Sequence, residues 1–201
     1  MFNKLISNHF KKPHGLIGKM VNNFQNKQNK AIYLKTIKYL DIKDEDKILD
    51  IGCGNGYTLR LIANEYPHTI LMGIDYSSSI IKEAIKSTTK ANLNNISYEI
   101  SDVLAFNKNN YFDKIYCINT IYFWQDLDEY IKKISTLLKK QGILYVTYMN
   151  KSTLDQYSFT KYNYLHRDLN EIDLVLRNNG FSVNIKKLFK TKGFVLIATK
   201  K

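Results

Sequence analysis

The segment Lys47-Ile-Leu-Asp-Ile-Gly-Cys-Gly-Asn-Gly56 constrains this chain more than any other. An apolar run, Ile48-Leu49-Asp50-Ile51, reads as a buried parallel strand. It stops at Gly52-Cys53-Gly54-Asn55-Gly56, after which Leu59, Ile62, Ala63 and Tyr66 follow a helical period. Strand, glycine turn and helix in that order bring a backbone close to a ligand at a helix N-terminus. Glycine is needed because the turn uses dihedrals that a Cβ forbids, and because the ligand must touch the main chain. The spacing is Asp-x-Gly-x-Gly-x-Gly, not the Gly-x-Gly-x-x-Gly of a dinucleotide fold. Its acid, Asp50, would repel a diphosphate but suits a cationic, zwitterionic ligand. A second acid, Asp75, ends the apolar run Ile70-Leu-Met-Gly-Ile-Asp75, 19 residues beyond Gly56, where a carboxylate can accept both hydroxyls of a ribose. A third, Asp102, follows the strand-like run Ile96–Ser101.

Around that segment the chain alternates strand and helix. A helix is predicted over about 22–39, with Ile32, Leu34 and Ile37 among its buried positions. Strands are predicted at 47–52, 70–75, 96–101, 112–119 and 143–148, and helices at 58–66 and 77–91. Asp126-Leu-Asp-Glu129 has capping-box spacing and opens a helix with an apolar stripe through Leu127, Tyr130, Ile131, Ile134, Leu137 and Leu138. Gln141-Gly142 should end it. A second box, Asp168-Leu-Asn-Glu171, opens a helix that stops at Asn179-Gly180. The last two strands, about 181–189 and 194–200, should pair antiparallel at one sheet edge. At 201 residues, with no internal repeat or linker, one globular unit is expected.

Composition excludes more than it identifies. No window holds 18 consecutive apolar residues, so no membrane span is expected, and the first residues lack the pattern of a secretory signal. Cys53 and Cys117 are the only cysteines, too few for a disulfide framework or a metal cluster. A reducing cytoplasm fits best. The formal charge is +12, but only Arg60, Arg167 and Arg177 of the 30 basic residues are arginine. The lysines are spread along the chain, and together with many asparagines, isoleucines and tyrosines they match a codon bias. This reads as solvated surface more than as the clustered arginine forks of a nucleic-acid binder.

With these residues in place, the chain from about Lys47 to Lys201 resembles the class I S-adenosylmethionine-dependent methyltransferases. The resemblance implies an α/β, Rossmann-like seven-stranded sheet of order 3-2-1-4-5-7-6 with the last strand antiparallel and helices on both faces. It also implies a division into a cap segment and helix at 1–40 and a cofactor-binding unit at 41–201. On this resemblance Asp50, Gly52, Cys53, Gly54 and Gly56 hold the amino-acid end of S-adenosyl-L-methionine. Asp75 takes the ribose, with Tyr76 against the adenine, and Asp102 and Val103 meet the adenine edge. The product would be S-adenosyl-L-homocysteine.

Ligands of an open α/β sheet bind beyond the carboxyl ends of its strands, where strand order reverses. Asn119, after the fourth strand, would therefore face the sulfonium, with Tyr122, Phe123 and Trp124 walling the acceptor pocket. Ring faces tolerate a cation better than aliphatic walls do. The same aromatics could equally be core packing. Tyr148 and the segment with Tyr162, Tyr164 and His166 are further acceptor-side candidates. Pro13-His14-Gly15-Leu-Ile-Gly18 has the composition of a lid, in which His14 could be a base or a substrate contact. No residue is marked as a chemical catalyst, His14 and Tyr122 being weak candidates, because methyl transfer can run on alignment and water exclusion. No metal site is indicated. The expected activity is methyl transfer to a small-molecule acceptor. RNA or protein methylation, and non-catalytic S-adenosylmethionine binding, remain as alternatives, and the oligomeric state is open.

Overall fold

The computed structural model describes residues 29–189 and 193–201. Helix α1 covers 29–40, followed by β1 Lys47–Ile51, α2 Tyr57–Glu65, β2 Ile70–Asp75, α3 Ser78–Lys90 and β3 Ile96–Ile100. The second half runs β4 Phe112–Ile118, α4 Leu127–Leu137, β5 Leu138–Met149, the single turn α5 Lys151–Leu154, α6 Leu169–Asn178, β6 Phe181–Leu188 and β7 Gly193–Lys200. The strands form one seven-stranded sheet in the order β3-β2-β1-β4-β5-β7-β6. β1 to β5 pair parallel, and β7 runs antiparallel to both β5 and β6. This is the Rossmann-like α/β order that the family resemblance implied.

Two cores lie on opposite faces of the sheet, because successive strand residues point to opposite sides. Leu49, Ile115, Leu144 and Leu196 pack on one side with Leu127, Ile131 and Ile134 of α4 and Ile172 and Leu176 of α6. Ile48, Tyr116, Tyr145 and Val195 pack on the other with Ile37 and Leu40 of α1, Leu59 and Ile62 of α2, and Ile80 and Ile81 of α3. The central strands are covered on both faces, which is why they read as near-continuous apolar runs.

α1 is fixed to the far half of the sheet. The Thr36 and Thr147 hydroxyls share a buried 3.0 Å hydrogen bond, and the Tyr145 hydroxyl donates to the Leu40 carbonyl at 3.1 Å. Thr36, Ile37 and Leu40 therefore form the buried stripe, whereas Leu34, expected inside, is 49% exposed because it falls off that stripe. A second expectation fails at the end of α4. The helix stops at Leu137, not at Gln141-Gly142, and β5 begins at once. The Lys200 ammonium donates to the Ser135 and Leu138 carbonyls, satisfying groups that a longer helix would have used. A register shift against β4 absorbs the segment before Ile143, with Gln141 at φ 62°.

Gly73, in the middle of β2, explains how α2 can lie so close to the sheet. A Cβ there would sit 2.7 Å from Leu59 Cδ1 and 2.8 Å from Cys53 Sγ. Gly73→Ala should therefore lower stability by about 1–3 kcal/mol in urea unfolding, by forcing α2 and the loop carrying Cys53 outward. A midpoint equal to that of the parent chain would mean the contact relaxes freely.

Candidate functional site

At the carboxyl end of β1 the chain turns through Gly52 to Gly56 and enters α2. The Gly52 and Cys53 N–H groups both donate to the Ile74 carbonyl of β2, at 2.9 and 3.1 Å. This fixes the loop over the end of β2. Gly54 and Gly56 both have left-handed φ, +54° and +70°, for different reasons. Nothing lies within 4 Å of a Cβ built at Gly54, so that position opens onto free space that a side chain would fill. A Cβ at Gly56 would meet the Tyr98 hydroxyl at 2.2 Å, deep in the fold.

The free space is a cavity of about 770 Å³ beyond the ends of β1, β2 and β4. That is within the usual range of small-molecule sites, roughly 300–1,000 Å³. Asp50, Gly52, Cys53, Gly54, Asp75, Tyr76, Asp102, Val103 and Asn119 all border it, as do Tyr122, Phe123 and Trp124. Four expected positions do not: Gly56, Tyr148, Tyr162 and His166. Gly56 caps α2 against Tyr98 instead, and Tyr148 is turned by the strand pleat into the core on the α4 and α6 side. The Tyr148 ring lies 6.1 Å from that of Phe194. Its hydroxyl is buried without a hydrogen bond, and burial, with Asp168 and Glu171 nearby, pushes its pKa up. His14 and the segment Pro13–Gly18 lie outside the described residues.

The carboxylates are in unusual surroundings. Burial pushes the Asp50 carboxyl up to about 8; the Tyr116 hydroxyl facing it pulls the value down and the Asp75 charge raises it further. Asp75 is raised by burial too, although its oxygens accept from the Ser77 N–H at 2.9 Å and the Gly54 N–H at 3.2 Å, which pull it back. Asp102 accepts from the Leu104 N–H at 2.9 Å and the Tyr130 hydroxyl at 3.2 Å. Three acids thus stand at the ends of adjacent strands, and burial disfavours the charged form of Asp50.

Across the cavity, Asn119 ends β4 at φ 57°, a left-handed conformation that asparagine tolerates better than most residues. The Tyr122 hydroxyl accepts from the Met149 N–H at 2.5 Å and lies 3.1 Å from Asn119 Oδ1. Burial holds its pKa well above the ordinary value. Tyr122 therefore ties Asn119 to β5 and is poorly placed to accept a proton. Trp124 stacks on Tyr130 at 5.1 Å, and the Tyr164 ring lies 5.0 Å from Phe123 and 5.5 Å from Tyr122.

Sequence reasoning missed several lining residues. Asn29 and Tyr33 reach the cavity from α1, Tyr57 from the start of α2 and Tyr130 from α4, and Leu154, Tyr157 and Thr160 follow β5. Tyr130 had a signal, since an aromatic with a polar tip inside an apolar stripe needs a partner at the cavity end. The α1 residues had none, because their distance along the chain from the glycine loop hides the contact. Among the described residues, no three His, Cys, Asp or Glu side chains converge for a metal ion.

Residues 42–193 match the family model described as a methyltransferase domain. The chain belongs to this family. The (S)-tetrahydroprotoberberine N-methyltransferase of Eschscholzia californica is 28% identical over 114 residues, 57% of this chain and 33% of that protein. The ubiquinone biosynthesis O-methyltransferase of Pelagibacter ubique is 33% identical over 151 residues, 70% of this chain and 60% of that one. The chain thus spans about a third of the plant relative and 60% of the bacterial one. A S-adenosylmethionine-dependent methyltransferase from Aquifex aeolicus shares the fold with a TM-score of 0.69 at 18% identity, covering 84% of this chain and 89% of that one. Class I methyltransferase membership makes S-adenosylmethionine the cofactor, and the residues present fit it: an open glycine cradle at Gly54 beside the buried carboxyls of Asp50 and Asp75.

The Asp50 environment has a pH signature. A folded chain that keeps this proton up to about 8, against roughly 3.9 for an unfolded carboxyl, binds more protons between those values. That contribution to stability is complete below about pH 4 and is lost as pH rises through about 8. Relative to the parent chain, Asp50→Asn should therefore be more stabilising at about pH 8.5 than at about pH 4.5 in urea unfolding without cofactor. The same difference at both pH values would mean that the carboxyl is ionised throughout.

Proposed function

We propose that this chain transfers the methyl group of S-adenosylmethionine to a small-molecule acceptor that is uncharged or cationic and largely aromatic. The observation that carries the reading is the two-sided cavity, with acids and an open glycine loop on one side and a wall of Tyr122, Phe123, Trp124 and Tyr164 on the other. The described lining contains Asp50, Asp75 and Asp102 and no lysine, arginine or histidine, so the +12 charge of the chain is not gathered there. An anionic acceptor would meet no counter-charge among these residues.

When bound, S-adenosylmethionine supplies a methyl group on a positively charged sulfur. Asp50 would lose its proton to meet the amino-acid end, Asp75 would accept from the ribose hydroxyls, and Asp102 with the Val103 backbone would read the adenine edge beside Tyr76. Asn119, fixed by Tyr122, would flank the reacting sulfur, and the aromatic wall would exclude water and face the cation. Acceleration then comes from alignment, with no proton-transfer residue required of the wall. The approach of α1 supports a cap role for residues 1–40 over a cofactor-binding unit at 41–201. Two buried free cysteines support a reducing, cytoplasmic setting, and no helix of the described residues is long and apolar enough to cross a membrane.

Labelled methyl from S-adenosylmethionine, incubated with a host-cell extract, should appear in the small-molecule fraction. Label in RNA or protein would overturn the acceptor class, and tight S-adenosylhomocysteine binding without any transfer would point to a non-catalytic binder. Asp75→Ala should weaken S-adenosylmethionine by about 1–3 kcal/mol in calorimetry. Gly54→Val should abolish binding while the far-ultraviolet circular dichroism stays that of the parent; retained affinity would mean the ligand does not lie over the loop.

A further inference from the structure

Residues 150–166 leave the end of β5, turn through α5 and a 3₁₀ turn at Ser158–Lys161, and return to the cavity. They supply Leu154, Tyr157, Thr160 and Tyr164 to its wall, and their last turn is held where the Leu165 N–H donates to the Tyr122 carbonyl at 2.9 Å. Leu154 and Tyr164 anchor it in the apolar core, and polar contacts shape the turns between them. Thr160 Oγ1 lies 2.7 Å from both the Leu154 and the Tyr157 carbonyl oxygens, which share its single hydroxyl proton and draw three of the wall residues together.

His166 lies behind the wall and does not border the cavity. Its Nδ1 is 2.9 Å from Asp155 Oδ1, and its Nε2 is 2.9 Å from the Thr160 carbonyl oxygen. Both partners accept. A neutral imidazole has one N–H and one lone pair, so it can donate to only one of them and sets its lone pair against the other. Only the imidazolium satisfies both. The charged surroundings are defined: the Lys151 ammonium sits 2.7 Å from Asp155 Oδ2, and Asp168 lies near Lys151. The Arg167 guanidinium is turned the other way, onto the Trp124 and Gln125 carbonyls at 2.6 and 3.0 Å and onto Glu171. Lys151, and after it His166, keep the Asp155 carboxyl below its ordinary range.

We propose that His166 is a positioning residue for the acceptor side of the cavity: as a cation it pins Asp155 to Thr160 and holds residues 150–166 in place, and as a neutral ring it releases one of the two. Imidazoles as a class gain and lose a proton over roughly pH 5–8, so the pin is tested by comparing the chain on either side of that interval. Its meaning for catalysis rests on the acceptor assignment above; the pin itself is read without acceptor or cofactor. The sequence supplies a reporter, because Trp124 is the only tryptophan and its carbonyl is bonded by Arg167, next to His166.

Amide exchange of the full chain at about pH 5.5 and about pH 8.5, corrected for intrinsic rates, tests this, with Trp124 emission followed between them. Residues 150–166 should lose roughly tenfold protection at the higher pH while β4 keeps its own, and the emission should change in step. In H166Q the difference should vanish, since an amide donates the same way at both pH values. If that variant does not fold, D155N should shrink the difference. Persistence of the parent behaviour in the folded variant, or no pH difference in the parent, would overturn the pin. D50N separates the other titrating group at the cavity: a change lost in D50N but kept in H166Q belongs to Asp50 and also overturns it. S-adenosylhomocysteine calorimetry on the parent chain keeps the two readings apart, since lack of binding would sink the methyltransferase assignment and leave the exchange result standing.

Discussion

The pairing of the glycine loop with the end of β2 is the constraint on which the site depends. Two consecutive N–H groups, of Gly52 and Cys53, share the Ile74 carbonyl. That fixes where β1 stops, where α2 starts and where Asp50 and Asp75 stand relative to one another. The arrangement needs α2 close to the sheet, which the missing Cβ of Gly73 permits, and it leaves Gly54 facing open space. A loop held this way is preorganised, so little backbone freedom is left to lose when a ligand binds.

Electrostatics then divide the cavity. The strand ends present three acids, and burial makes the charged form of Asp50 costly without a partner. A cationic ligand would supply that partner, and affinity and ionisation would then be coupled at this point. The surface of the chain is strongly basic, yet the described lining is not. Net charge is therefore a poor guide to what this cavity accepts, because a few buried groups in low dielectric outweigh many solvated lysines.

The other side is assembled from distant pieces of chain. Tyr122 joins the end of β4 to Met149 of β5 through its hydroxyl, and to Leu165 through its carbonyl. Arg167 reaches back to Trp124. Side-chain contacts of this kind join segments far apart in the chain, unlike the sheet ladder that fixes the glycine loop.

The alternating strands and helices, the glycine loop and the acids Asp50, Asp75 and Asp102 were legible in the sequence because each depends on local pattern: apolar runs, glycine spacing and acids at strand ends. The strand order came from the family resemblance that those residues carry. Leu34 and the end of α4 were misjudged, since helical phase alone does not say which stripe meets the sheet, and Lys200 stops the helix from the far end of the chain. Gly56 was placed at the cavity by the motif resemblance and Tyr148 by its position on the fifth strand, but one turn of backbone and one pleat position sent them elsewhere. The approach of Asn29 and Tyr33 from α1, the stack of Trp124 on Tyr130 and the His166 contacts join residues far apart in the chain or on separate turns. Local physics in the sequence determined the cofactor side. Only the tertiary packing decided the acceptor side, because those contacts exist once the strands have been brought into register and not before.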